Sequence, residues 1–207
     1  MRAWDEHVVP RLVDVALRSK DVGQLREEAC VGLQGRVLEL GFGGGLNLPF
    51  YPAAVGTVDA VEPSDVGWRL SERRRAGSDT SVTRVRLDGQ ALEAEDASYD
   101  CVLSTFTLCT IPDVELALRE VRRVLIPGGT FHFLEHGRGP TAGVQRWQTC
   151  LEPIQKRVAG GCHLTRDIPA LVDAAGLAVT AVRSDYMPGP GVSKPRTYVY
   201  VGTARPA

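Results

Sequence analysis

The residues best suited to chemistry lie in Glu39-Leu-Gly-Phe-Gly-Gly-Gly-Leu-Asn47, a glycine-rich stretch directly behind the apolar run Arg36-Val-Leu-Glu-Leu40. Gly41, Gly43 and Gly45 have a G-x-G-x-G spacing. Glycine there lets the backbone turn sharply and lets a ligand touch the main chain, which a Cβ would block. A plain flexible turn would have the same composition. Glu62 closes the next apolar run, 21 residues beyond Gly41. At that separation a carboxylate can accept both hydrogen bonds of a ribose diol. The dinucleotide fingerprint G-x-G-x-x-G needs glycine at position 46, where Leu46 stands, so a dehydrogenase is the less favoured nucleoside binder. Farther on, in Asp88-Gly89-Gln90, Asp88 can accept from an exocyclic amine while the Gly89 amide donates to a ring nitrogen, the pair an adenine edge requires. An Asp-Gly is also an ordinary turn.

The elements that must position these residues follow from periodicity. Val9, Leu12, Val13, Ala16 and Leu17 fall on one face of an amphipathic helix, and a second short helix is expected over Val22 to Cys30. Strands are expected at 36–40, Val55 to Val61, Ser81 to Leu87, Tyr99 to Ser104, Thr130 to Glu135, Leu177 to Tyr186 and Arg196 to Thr203. Arg73 to Arg75 read as the cationic last turn of a helix. Between later strands, Asp113 is a good N-cap for a helix carrying Val114, Leu118, Val121 and Leu125, stopped by Pro127-Gly128-Gly129. Thr165 is the expected N-cap of another helix, ending at Gly176. Strand–helix alternation implies a parallel sheet with right-handed crossovers, binding ligands beyond the carboxyl ends of its strands. The last two strands, joined by a Pro/Gly-rich turn, should pair antiparallel.

The 207 residues suit one α/β domain, and 24 Lys+Arg against 25 Asp+Glu leave a net charge of −1. No long-range field then steers the chain toward nucleic acid or anionic lipid. Cysteines 30, 101, 109, 150 and 162 form no C-x-x-C pair and no metal-ligand spacing, so no metal is expected and a reducing compartment is implied. The N-terminal stretch mixes charge into every turn, unlike a signal peptide, and no window has the unbroken apolar length of a membrane span. A cytoplasmic location without stable membrane insertion is the expectation.

Taken in order, Glu39 to Asn47, Glu62-Pro63-Ser64, Asp88 to Leu92, Tyr99 to Val102 and Arg119 to Gly129 make the chain resemble class I S-adenosylmethionine-dependent methyltransferases over roughly positions 36–135. The resemblance implies a Rossmann-like three-layer α/β sandwich with a seven-stranded, mostly parallel sheet and an antiparallel C-terminal strand. It implies one methyltransferase domain over 1–207, with a helical cap at 1–34 and an inserted helical lid at 138–164. S-adenosylmethionine is the implied cofactor, its methionine part at Glu39, Gly41, Phe42, Gly43, Gly45 and Asn47, its ribose at Glu62 beside Pro63, its adenine at Asp88, Gly89 and Gln90, with Thr105 nearby. Segments 4–14, 41–51, 107–109, 133–136, 161–167 and 198–204 further resemble the methyltransferase-like alkyl thiol S-methyltransferases and their bacterial relatives. Animal members of that group carry a membrane-attaching N-terminal segment that is not seen here.

Methyl transfer from a sulfonium is an in-line displacement that needs positioning and water exclusion more than a strong base. A thiol already supplies a few per cent thiolate at neutral pH. His136, directly after its strand, is the candidate base, or else a hydrogen-bonded structural residue. Cys109 either lines the acceptor pocket or fills core. Trp147, Leu151 and Ile154 recur at helical spacing, forming an apolar lid or packing on the sheet edge. His163 closes that segment, Arg166 can contact an acceptor anion or a backbone carbonyl, and Trp4 and His7 are the expected second wall. The expected partner is a small, largely apolar acceptor, a thiol first. Alternatives are O- or N-methylation of a phenol, quinone or lipid head group, or a non-catalytic cofactor-binding scaffold.

Overall fold

A computed structural model describes residues 4–85 and 89–207. Strands β1 (Gly35–Leu40), β2 (Val55–Val61), β3 (Ser81–Arg84), β4 (Tyr99–Thr105), β5 (Leu125–His136), β6 (Leu177–Tyr186) and β7 (Tyr198–Pro206) form a seven-stranded sheet in the order β3-β2-β1-β4-β5-β7-β6. The first five strands in that order run parallel, while β7 is antiparallel to both β5 and β6. The sheet order reverses between β1 and β4; β1 runs into the glycine loop, and β4 ends at Thr105. Ligands bind at such switch points because diverging crossovers leave a crevice there.

The helices are α1 (Val9–Ala16), α2 (Lys20–Cys30), α3 (Asp65–Leu70), α4 (Glu72–Ala76), α5 (Val114–Val124), α6 (Ala142–Val158), α7 (Ile168–Ala174) and α8 (Lys194–Thr197). Asp113 caps α5 by accepting from the Leu116 amide at 2.9 Å, and Val114, Ala117, Leu118 and Val121 bury its inner stripe against the sheet. Arg73 to Arg75 do fall in the last turn of a helix, α4.

Several boundaries differ from the sequence reading, β7 among them, which runs Tyr198–Pro206 rather than Arg196 to Thr203 because Lys194–Thr197 form the short helix α8. Strand β5 begins at Leu125 rather than Thr130, because the chain passes from α5 straight into pairing with β4. The register jumps from Tyr99↔Leu125 to Cys101↔Thr130, so Pro127-Gly128-Gly129 form an irregularity inside the strand, with Gly128 at φ +82°. The cap of α7 is Asp167, which accepts from the Ala170 amide, while the Thr165 hydroxyl is spent on Glu152. The expected strand from Ser81 to Leu87 is observed through Arg84, and its end lies outside the described residues.

Candidate active site

A cleft of about 460 Å³ opens beyond the carboxyl ends of β1, β2 and β4, within the size range of small-molecule sites. Its lining includes Gly41, Phe42, Gly43, Glu62, Pro63, Gly89, Gln90 and Thr105. The sequence reading is thus brought together at eight positions, while Asp88 lies outside the described residues. Gly41 has φ +69°, and a Cβ there would stand 1.9 Å from Thr107 Oγ1. A Cβ on Gly43, φ +55°, would meet only the Gly41 carbonyl at 3.9 Å and would project into the cleft. This is a cradle that a side chain would fill, as close approach of a ligand to main chain requires.

Glu62 ties the loop to the next helix. Its carboxylate accepts from the Gly43 amide at 2.5 Å and the Ser64 amide at 2.7 Å. Burial raises its proton affinity, and these two amides oppose the rise. Each oxygen accepts one backbone bond and keeps lone-pair capacity for a ligand hydroxyl.

Glu39, Gly45 and Asn47 stand behind the lining rather than on it. Glu39 is fully buried, accepting from Asn47 Nδ2 at 2.6 Å and from the Tyr51 hydroxyl, and burial pushes it up to about 8 against the Asn47 bond and Arg26. Asn47 also donates to Thr105 Oγ1 at 2.9 Å. Carboxyl, amide and hydroxyl groups thus form a buried support beneath the glycine loop. Arg26, from α2, completes it by donating to Asn47 Oδ1 at 2.7 Å and Thr105 Oγ1 at 3.0 Å. Burial lowers this guanidinium to about 10, still charged at neutral pH. It lines the cleft, and its buried Nε has no hydrogen-bond partner. Sequence reasoning missed Arg26, although its position was a signal: a cation on the buried stripe Val22, Arg26, Ala29, Cys30. It missed Asp14 too, buried in α1, bonded to Arg74 at 2.8 Å and facing the cleft.

The far end of the cleft is walled by Val9, Pro10, Val13 and Leu17 of the N-terminal segment, with Phe106, Ile111 and Pro112 opposite. The apolar stripe of α1 therefore faces a crevice instead of the sheet. Phe106 adopts φ +55°, a conformation costly for a bulky side chain, at the turn where β4 delivers Thr105 and Thr107 to the lining. Its ring lies 5.4 Å from the Arg26 guanidinium.

Six expected acceptor-side residues are placed elsewhere. Trp147 is 63% exposed and Ile154 54% exposed on α6, so the expected apolar lid faces solvent and only Leu151 of that stripe packs inward. The helix is held instead by Gln148, fully buried, which accepts from the Gly139 amide and donates to the Gly137 and Pro195 carbonyls. Those three bonds fix which face of α6 turns inward. Trp4 lies in the exposed turn preceding α1, and His7 borders a separate shallow hollow with Arg69 and Leu70. His163 bonds Glu152 at 3.1 Å, and Arg166 donates to the carbonyls of Leu108 and Pro112, the backbone alternative of its two expected roles. Cys109 is buried, packed with Cys162 and Leu164.

His136, the expected base, is absent from the lining and sits against Phe106, ring centroids 4.9 Å apart. Its neighbours are instead Cys109 and Cys162, whose sulfurs and a ring nitrogen of His136 lie within 4.8 Å of one another. The hydrogen bond from Cys109, aided by His136, lowers the proton affinity of the Cys162 thiol. The metal-free expectation from cysteine spacing could not register this cluster, because its members lie on three separate segments.

Residues 38–133 match the family model described as a methyltransferase domain. The chain is 35% identical over 137 residues to the thiol S-methyltransferase TMT1B of Rattus norvegicus, covering 63% of this chain and 55% of that one. It is 30% identical over 116 residues to a phosphatidylethanolamine N-methyltransferase of Cereibacter sphaeroides, covering 54% and 57%. The chain therefore spans somewhat over half the length of these relatives. Its fold is similar to that of an S-adenosylmethionine-dependent methyltransferase, possible histamine N-methyltransferase, of Thermotoga maritima, with TM-score 0.67, 19% identity and coverage of 98% and 100%. No helix among the described residues is long and apolar enough to cross a membrane. The glycine cradle, the Glu62 carboxylate and the Arg26 guanidinium, whose Nε lacks a hydrogen-bond partner, thus meet in one crevice of a chain whose residues 38–133 match a methyltransferase domain.

Proposed function

We propose that the chain methylates the sulfur of a small, largely apolar thiol. The observation that carries this reading is the make-up of the cleft: its far wall is largely apolar, and its described lining holds no histidine, lysine, tyrosine or cysteine to serve as a base, leaving the carboxylates Asp5, Glu6, Asp14 and Glu62 as its basic groups. A thiol, with a reference pKa near 8.5, is the acceptor that least needs one, whereas a phenol near 10 needs more help. The similarity to thiol S-methyltransferases supports the same acceptor.

S-adenosylmethionine, when bound, supplies an electrophilic methyl group on a sulfonium sulfur. In this reading Glu62 receives the ribose hydroxyls, the amides of the Gly41–Gly44 loop and the Arg26 guanidinium receive the methionine end, and Gly89 with Gln90 borders the adenine. Arg26 suits a carboxylate because a guanidinium donates in a planar fork. Val9, Val13, Leu17 and Phe106 seat the acceptor and exclude water, which strengthens positioning and suppresses hydrolysis.

A second reading, N-methylation of an amine such as a lipid head group, is favoured by one feature: Asp5 and Glu6, just before α1, line the cleft and could receive a cation. The similarity to a phosphatidylethanolamine N-methyltransferase points the same way. The test is incubation of purified protein and S-adenosylmethionine with thiol, phenol and amine panels, read by mass spectrometry for a gain of one methyl group. Methylation of apolar thiols is the expected result. Turnover confined to amines or phenols overturns the thiol assignment, and donor binding by calorimetry with no turnover on any panel overturns methylation itself.

A further inference from the structure

We infer that Cys109, His136 and Cys162 form a binding site for a single Zn²⁺ ion, just behind the far wall of the cleft. Their ligand atoms lie within 4.8 Å of one another, and both cysteines are buried, Cys109 at 1% and Cys162 at 4% exposure. Nε2 of His136 is buried with no hydrogen-bond partner. An orphaned buried imidazole nitrogen is costly unless something else takes its lone pair or proton. Zn–S bonds of about 2.3 Å and Zn–N bonds of about 2.0 Å in a tetrahedron would set ligand separations near 3.5–3.8 Å. The three groups would close by on the order of 1 Å, a side-chain adjustment rather than a refolding.

The scaffold is arranged before any ion arrives. The Glu135 carboxylate accepts from Ser104 Oγ at 2.7 Å and from the amides of Thr107 at 2.9 Å and Cys109 at 3.2 Å, which fixes the loop bearing the first thiol. The His163 amide donates to the Cys109 carbonyl at 2.7 Å, tying the loop of the second thiol to the first. Arg166 clamps the Leu108 carbonyl beside them. The Phe106 ring packs on His136 from the cleft side. Such outer contacts orient ligands in metal sites.

The donor set selects the ion. Two thiolates and an imidazole suit a borderline-soft cation and repel Mg²⁺ and Ca²⁺, which need hard oxygen ligands. Three protein ligands leave a fourth position for water or another small ligand. Bound Zn²⁺ would lock the segment around Cys162 to the ends of β4 and β5, and so fix Ala159 and Gly160, which line the cleft. The inference stands independently of the acceptor assigned above.

The test is metal analysis of the full chain purified without chelator, then Zn²⁺ titration of the stripped protein against a chromogenic chelator, and Co²⁺ substitution read by absorption. One zinc per chain is expected, with a thiolate-to-cobalt charge-transfer band. Cys109→Ser and Cys162→Ser should each weaken Zn²⁺ binding by on the order of 100-fold or more, the upper end of what outer contacts alone cost. Cys150→Ser, at an exposed cysteine, should leave it unchanged. Absence of the charge-transfer band in the unmodified protein overturns the site even if the serine variants fail to fold. Loss of binding in Cys150→Ser, undiminished binding in both other variants, or uptake of Cu⁺ with no competing Zn²⁺ uptake overturns it as well.

Discussion

Glu62 offers the sharpest separation between holding a ligand and holding the fold. Its two oxygens accept from Gly43 and Ser64, bridging the glycine loop to α3. If it also receives a ribose diol, Glu62→Ala removes two hydrogen bonds to a charged acceptor, partly replaced by water in the vacated space. The expected loss of S-adenosylmethionine affinity is about 1–3 kcal/mol, roughly 5- to 150-fold in Kd. The fold should also weaken by about 1–3 kcal/mol, because two amides lose a shared acceptor. Glu62→Gln keeps one acceptor oxygen without the charge and should fall between the parent and Glu62→Ala in both measures. Calorimetric titration with the donor and with its demethylated product gives the affinities, and thermal unfolding without ligand gives the stabilities. A donor Kd within about twofold of the parent, alongside a lowered Tm, would reduce Glu62 to a structural brace and refute the adenosine placement.

Glu39, held up to about 8 against an ordinary value of 4.5, makes stability pH-dependent. The folded state keeps its proton across that window while the unfolded chain loses it, so this contribution is full below about 4.5 and is lost as the pH rises through about 8, at most about 1.4 kcal/mol per pH unit. Chemical denaturation from pH 5 to 8 should therefore show a flatter stability profile for Glu39→Gln than for the parent, and parallel profiles would contradict the assignment. Gln148→Leu strands the Gly139 amide and the Gly137 and Pro195 carbonyls, and should cost about 2–4 kcal/mol in thermal unfolding with donor affinity unchanged. Val13→Asp puts a charge on the apolar wall and should raise the KM for an apolar acceptor roughly tenfold or more, with little change in donor Kd. Equal effects on both ligands would mean that α1 does not face the acceptor.

The glycine loop, Glu62 and the strand–helix alternation were legible because they depend on local rules: a Cβ clash at one position, a carboxylate at one strand end, a hydrophobic period. The cap at Asp113 belongs to the same class, set by a single side chain and the amide three residues on. Glu39 and Asn47 show where such reading stops. Their types suggest ligand contact, yet both are turned below the loop, where the Asn47 amide bridges the Glu39 carboxyl group and the Arg26 guanidinium.

The acceptor side shows the limit from the other direction. Helical spacing put Trp147, Leu151 and Ile154 on one stripe, but spacing fixes only which residues share a face, never which way that face turns. For α6 the direction is set by Gln148 and its backbone partners, residues up to 47 positions away. Arg26 is likewise explained only by Asn47 and Thr105, 21 and 79 positions along the chain. Near-neighbour contacts and periodic patterns were enough to read the sheet, its alternating helices and the glycine loop of the cleft from the residues alone. The folded arrangement was needed to show which polar groups are buried together, which apolar face stays in solvent, and that Cys109, His136 and Cys162 meet. Those outcomes depend on the desolvation and geometry of residues far apart in the chain, which no spacing rule encodes.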